Sequence, residues 1–129
     1  MYILTHTEER LCREIMDAAF QVHKKLGPGL LEKICEVCFC YELSKKAIFF
    51  RRQVQLPIIY DDRVFDEGLR IDVLVEERIV CEIKAAEIIH PVYQAQVLSY
   101  LRLAEKKVGF LINFNSPTIK EGTQRFCLR

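Results

Sequence analysis

The spacing of apolar residues changes period near Ile48, and this restricts the chain to folds that combine helices with a sheet. Before the change, Leu11, Ile15, Ala18, Val22 and Leu26 recur at three- and four-residue steps, the repeat of one helical face. Thr5 followed by Glu8 has capping-box spacing. Gly27-Pro28-Gly29 stops the helix, because Pro cannot continue it and Gly accepts a left-handed turn. The first helix is therefore expected over residues 8–26. A second is expected over residues 30–46, with Leu31, Ile34, Cys38 and Tyr41 as its core stripe, widened by Leu30 and Val37. Glu32 falls in its first turn, where the helix dipole favours a carboxylate. It lines up with Glu36, Phe39 and Leu43, a stripe that turns apolar further along and sets Glu32 at the edge of the core.

From Ile48 alternation takes over. Residues 48–60 read as a strand broken at Pro57, 64–75 as a second and 79–85 as a third. Turns at Asp61-Asp62-Arg63 and Glu76-Glu77-Arg78 join them, and short turns make antiparallel neighbours. His90-Pro91 opens a third helix with Pro at its first position. Val92, Ala95, Ser99 and Leu103 mark one of its faces, with Gln96 and Tyr100 beside it, and Lys106-Lys107 closes it. Residues 108–114 are nearly all apolar, as in a strand covered on both faces, and 125–128 offer an edge strand. The order helix, helix, three strands, helix, strand predicts an α/β fold, expected as one domain over residues 1–129.

Bulk properties remove several function classes. Half the residues are apolar, with only five Gly and four Pro, so the chain can bury a real core and is not disordered. No apolar run nears the roughly 20 residues that cross a bilayer. The N-terminus lacks the basic-then-apolar layout of a secretory signal, so a cytoplasmic location is expected. The six cysteines lie mostly in apolar periodic segments, where free Cys acts as a small hydrophobe. Cys35, Cys38 and Cys40 lack the second ligand pair that structural zinc wants, and read as helix cysteines. A net charge of +1 excludes tight nucleic-acid binding by bulk charge. Local clusters such as Lys24-Lys25, Lys45-Lys46 and Arg51-Arg52 would have to supply any nucleic-acid contact, and each reads at least as well as a solvated helix end or strand start.

The chemistry concentrates around the Glu76-Glu77-Arg78 turn. With Val75 opposite Ile79, Asp72 falls opposite Glu82 and Arg70 opposite Lys84. Facing side chains in such a pair have Cβ atoms about 4.5–5.5 Å apart. Two carboxylates at that separation repel unless one takes a proton or a cation binds. Such hard oxygen ligands suit Mg²⁺ or Mn²⁺. Lys84, two residues from Glu82 and on the same face, is placed to position a water or steady charge on a phosphoryl group. The plainer reading is a solvated sheet face carrying a Glu82–Lys84 ion pair; Leu74 and Val80 on that face weaken it.

Asp72, nine further residues, then Glu82-Ile83-Lys84 resembles the signature of the PD-(D/E)xK nuclease superfamily, with Ile71 where proline is often seen. Gly29-Leu30-Leu31-Glu32, Arg70-Ile71-Asp72, Glu82-Ile83-Lys84-Ala85, the segments 94–101 and 109–114, in that order, resemble the GxxExxY proteins of bacteria and archaea. The resemblance spans roughly residues 7–115. It implies a restriction-endonuclease-like core, a central mixed β-sheet flanked by helices, and a Mg²⁺- or Mn²⁺-dependent nuclease acting on DNA or RNA. Asp72, Glu82 and Glu32 would hold the metal. Lys84 would assist the attacking water, and Gln96, with Tyr100 four residues on, would bond a metal-bound water or a phosphate. One departure is plain: Cys35 stands where the family has the tyrosine of its name. The competing readings are a non-catalytic nucleic-acid- or protein-binding module that keeps the fold, and a structural protein in which the acids form an ion-pair network. A homodimer or a protein partner would supply the basic surface that the composition lacks.

Overall fold

In the computed structural model, which describes residues 2–128, Thr5 opens helix α1 (His6–Leu26) with a complete capping box. Its hydroxyl accepts the Glu8 N–H, and the Glu8 carboxylate accepts the Thr5 N–H. Such a cap is worth about 1 kcal/mol. Gly27, at φ 71°, ends the helix in a conformation that a Cβ disfavours. Helix α2 (Glu32–Lys45) follows, then strands β1 (Phe50–Tyr60), β2 (Arg63–Val75) and β3 (Ile79–Lys84). Helix α3 (Pro91–Ala104) leads to β4 (Val108–Asn113), a short helix α4 (Ile119–Gly122) and β5 (Thr123–Cys127). His90 caps α3, its Nδ1 accepting the Val92 N–H.

The strands form one five-stranded sheet in the order β1-β2-β3-β4-β5. Only β3 and β4 run parallel, joined by the α3 crossover, so the sheet is mixed. Val75 pairs with Ile79 across the Glu76-Glu77-Arg78 turn, the expected register. Every residue of β4 is buried, as a strand covered on both faces requires. One core lies between the sheet and α1 with α2, where Leu11, Ile15 and Phe39 meet Val73, Cys81 and Ile112. A smaller one lies under α3, where Val97, Tyr100 and Leu101 meet Leu74, Val80 and Leu111. A Cβ on Gly109 would come within 3.1 Å of Val97 and 3.2 Å of Leu101, so the bare backbone there lets α3 pack close to β4.

Several expectations need correction. Helix α2 buries Cys35, Phe39, Cys40 and Leu43, while the expected stripe of Leu31, Ile34 and Tyr41 faces outward, along with Val37. Apolar residues surround this helix, so its period does not pick out a face. Its buried side also carries Glu36 and Glu42, which disguised it as a polar one. In α3 the buried face is Val97, Tyr100 and Leu101, with Val92 and Leu103 exposed. Leu26 is likewise exposed. Arg70 does not pair with Lys84: the pairing of β2 with β3 ends at Val73 and Cys81, and Arg70 lies opposite Gln55 on β1. All six cysteines are free thiols. Among the described residues, no helix is long and apolar enough to cross a membrane.

Candidate active site

Strands β2 and β3 separate beyond Val73 and Cys81, and the next pair on the two strands is Asp72 and Glu82. Side chains replace the backbone ladder here. The Ile83 N–H donates to the Asp72 carboxylate at 2.8 Å, and the Asp72 N–H donates to the Glu82 carboxyl at 3.3 Å. The separation arises partly from β1. Gln53 sits at φ 51°, a left-handed conformation inside a strand, and the pairing of β1 with β2 skips Gln53 and Asp72. Both strands change face at this point. Val73 packs toward α1 and α2 while Ile71, two residues earlier, packs toward α3; Arg52 bonds Glu36 on α2 while Val54 packs toward α3. Asp72 is thereby turned out of regular alternation.

Glu82 is only 3% exposed. Burial, then the charge of Asp72 and a hydrogen bond shared with it, push its carboxyl up to about 9. A single proton therefore does what a cation would do between these acids. Lys84, on the same face of β3, lays its ammonium 4.7 Å from the centre of the Tyr93 ring on α3, a cation–π contact. Asn113 fixes the backbone just past it: its amide donates to the Ala86 carbonyl and its oxygen accepts the Ala86 and Asn115 N–H groups.

The helices bring further groups to this spot from both sides of the sheet. Glu32, at the start of α2, is exposed as a residue, but desolvation at its carboxyl end raises its pKa; Lys84 offsets this, and the charges of Asp72 and Glu36 add to it. On this side a polar cavity of about 480 Å³ runs past Glu32, Arg52, Gln53, Arg70 and Asp72. On the other side a mainly apolar cavity of about 400 Å³ is lined by Lys84, Tyr93, Gln96 and Tyr100. Gln96 donates to the Tyr100 hydroxyl at 2.9 Å, and burial, then the charge of Glu82, raise the pKa of that hydroxyl. Asp72, Glu82, Lys84 and Glu32 thus act on one another electrostatically, while Gln96 reaches the group through Tyr100.

Three further residues, none of them among the expected site residues, matter here. Gln53 donates its amide to Glu36 at 2.9 Å and reaches Asp72 at 3.5 Å. Glu36, 6% exposed, also holds Arg52 at 2.9 Å. Asn113 is the third. The Glu32-to-Glu36 spacing of one helical turn was the available signal for Glu36. Nothing local announced Gln53, since a polar residue in a strand is ordinary. Cys35 is buried, and burial raises the pKa of its thiol. Most residues of the basic clusters are paired internally: Lys25 and Lys45 with Glu42, Lys46 with Asp17, Arg51 with Glu77 and Arg52 with Glu36.

Helices on both faces of a mixed sheet whose middle strands part over two acids define a restriction-endonuclease-like α/β protein. The family model of the PD-(D/E)XK nuclease superfamily matches residues 9–126, and the chain belongs to that superfamily. Among curated proteins and among solved structures, none matches it. Enzymes of this superfamily generally depend on a divalent metal. Among the described residues no group of three or more His, Cys, Asp or Glu side chains is gathered closely enough to hold an ion by itself. The donor chemistry nevertheless fits one. Asp72 and Glu82 are hard oxygen donors set side by side where their strands part, and Mg²⁺ commonly uses one or two protein carboxylates, taking its other ligands from water and phosphate.

Proposed function

We propose that this protein is a metal-dependent nuclease that hydrolyses phosphodiester bonds in DNA or RNA, of the GxxExxY kind within its superfamily. It would act as one domain over residues 1–129, in the cytoplasm. The observation that carries this reading is the crosswise contact of Asp72 and Glu82 where their strands part, with Lys84 on the same face. Asp72 and Glu82, with Glu32 from the helix side, would hold Mg²⁺ or Mn²⁺. A bound ion would supply Lewis acidity toward the phosphate and a more acidic water.

The side chains divide the remaining work. Lys84 orients the attacking water and steadies the charge that builds on the phosphoryl oxygens. Its contact with Tyr93 limits the directions in which the long side chain can point. Gln96 spends one N–H on Tyr100, leaving its carbonyl oxygen to accept from a water on the Lys84 side. A second copy or a protein partner would add basic surface, since most of the clustered cations are neutralised by acids of the same chain.

The test is cleavage of labelled single- and double-stranded DNA and RNA, with Mg²⁺ or Mn²⁺ and with chelator, beside Asp72→Ala and Lys84→Ala. Metal-dependent cleavage by the wild type that both variants lose is the expected result. Binding without cleavage under every condition would leave a binding module on a nuclease fold.

A further inference from the structure

Lys33 on α2 and Arg70 on β2 line the polar cavity that opens beside Asp72. Among the described residues neither has an ion-pair partner, unlike Lys25, Lys45, Lys46, Arg51 and Arg52. The cavity also contains Arg52, whose guanidinium is fixed by the buried Glu36 and so forms a wall that does not collapse. Its acids are accounted for. Glu36 is neutralised by Arg52, and the proposed function gives Asp72 and Glu32 to the metal. Two cations from separate elements are left facing a space of about 480 Å³ next to the reacting centre.

We propose that this cavity seats a second backbone phosphate of the nucleic acid, the neighbour of the one that is cut, with Arg70 and Lys33 as its ligands. The inference rests on the nuclease reading and extends it to how the strand is held. Arg70 offers a planar fork that matches phosphate oxygens, and Lys33 adds a point charge from the helix. A contact of this kind fixes register without reading sequence. It also gives a chain of net charge +1 two unpaired cations beside the reacting centre with which to hold a polyanion. The cavity past Lys84, lined largely by apolar and aromatic groups, offers no comparable set of cations, so the strand is held more firmly on the α2 side.

The experiment measures binding of a fluorescent single-stranded oligonucleotide in chelator, where nothing is cut, over a range of salt concentrations. The proteins are wild type, Arg70→Ala, Lys33→Ala, the double variant and Arg63→Ala at the far hairpin turn. Each seat variant is expected to weaken binding about five- to tenfold and to lower the salt slope by about one phosphate's worth, with Arg63→Ala unchanged. Inorganic phosphate should compete only weakly, because one isolated anion lacks the rest of the strand. In a second arm, a neutral methylphosphonate replaces the phosphate beside the cleavage site. It should weaken the wild type as much as Arg70→Ala does and cost that variant little more. Oligonucleotide binding with the same slope in the double variant as in the wild type would overturn the seat. Cleavage by that wild type would show that the nuclease reading survives it. Failure of the wild type to bind any oligonucleotide would overturn both.

Discussion

Asp72 and Glu82 grip each other's strands crosswise: the Asp72 carboxylate accepts the Ile83 N–H at 2.8 Å, and the Glu82 carboxyl accepts the Asp72 N–H at 3.3 Å. Each acid thus replaces part of a missing backbone ladder and is oriented before any ligand arrives. This places two oxygen donors together and favours the protonated form of the buried Glu82 carboxyl.

That proton is the basis of the first prediction. With the Glu82 carboxyl pushed up to about 9, Mg²⁺ or Mn²⁺ must displace a proton to bind near neutral pH. Calorimetric titration at pH 7 in two buffers of different ionisation enthalpy should report about one proton released per ion. Apparent affinity should rise as pH is raised toward about 9 and then level off. An affinity flat from pH 6 to 9, with no buffer dependence, would separate Glu82 from the ion.

The same group has a consequence for stability without metal. A carboxyl raised from its ordinary 4.5 to about 9 in the folded chain favours folding while it keeps its proton. This stabilisation is complete below pH 4.5 and is lost progressively as pH rises through about 9. Glu82→Gln keeps a neutral amide of similar shape and removes the dependence. In chelator, the variant should equal the wild type near pH 4.5 and exceed it by several kcal/mol at pH 9, read from urea unfolding, since each pH unit across that range is worth about 1.4 kcal/mol. Glu8 and Glu42, whose pKa values are lowered, are common to both proteins and cancel in the difference. A gap that does not widen with pH would contradict the account.

How much of this the sequence revealed depended on whether the cause was local. The capping box at Thr5 and Glu8, the three-strand meander and the pairing of Val75 with Ile79 follow from turn chemistry and alternation, and all three stand in the structure. The placing of Asp72 beside Glu82 was readable for the same reason, since it needs only one turn and a count. The buried side of α2 was readable only in part, as the stripe from Glu32 through Glu36 to Phe39 and Leu43. Glu36 and Glu42 are buried because Arg52, Gln53, Lys25 and Lys45, distant in sequence, come to meet them. The α4 turn before β5 rests on Thr118, whose hydroxyl accepts the Glu121 N–H, a cap with no periodic segment after it to draw notice.

Asn113 gives a prediction about the exit from β3. Its side chain satisfies the Ala86 N–H, the Ala86 carbonyl and the Asn115 N–H in a site only 3% exposed. Asn113→Ala leaves those groups without that partner, which costs about 2–3 kcal/mol. Denaturant melts should show that loss. Loosening the chain two residues beyond Lys84 should also lower kcat for cleavage by more than it raises KM, because the loss falls on the group that acts in the transition state. Unchanged stability would mean that water replaces the amide without penalty.

Gln53 allows conformational strain to be separated from side-chain contact. At φ 51° it occupies a region that Ala enters at a cost of about 1–2 kcal/mol and Gly enters freely. Both substitutions remove the same amide from Glu36 and Asp72, so their difference isolates the backbone. In an ordinary strand interior Gly is the less stable of the two, because it loses more entropy on folding and packs nothing. Here the order should reverse, with Gln53→Gly more stable than Gln53→Ala by about 1 kcal/mol in urea unfolding. Both should cleave poorly, since neither has an amide to reach Asp72, and Gln53→Asn should recover part of the rate because Asn tolerates a left-handed backbone and keeps a short amide. That pattern ties the bend at Gln53 to the placing of Asp72. The usual order, Ala above Gly, would show that the strand relaxes to a regular form once the amide is gone, and that the amide, not the backbone, sets the turn.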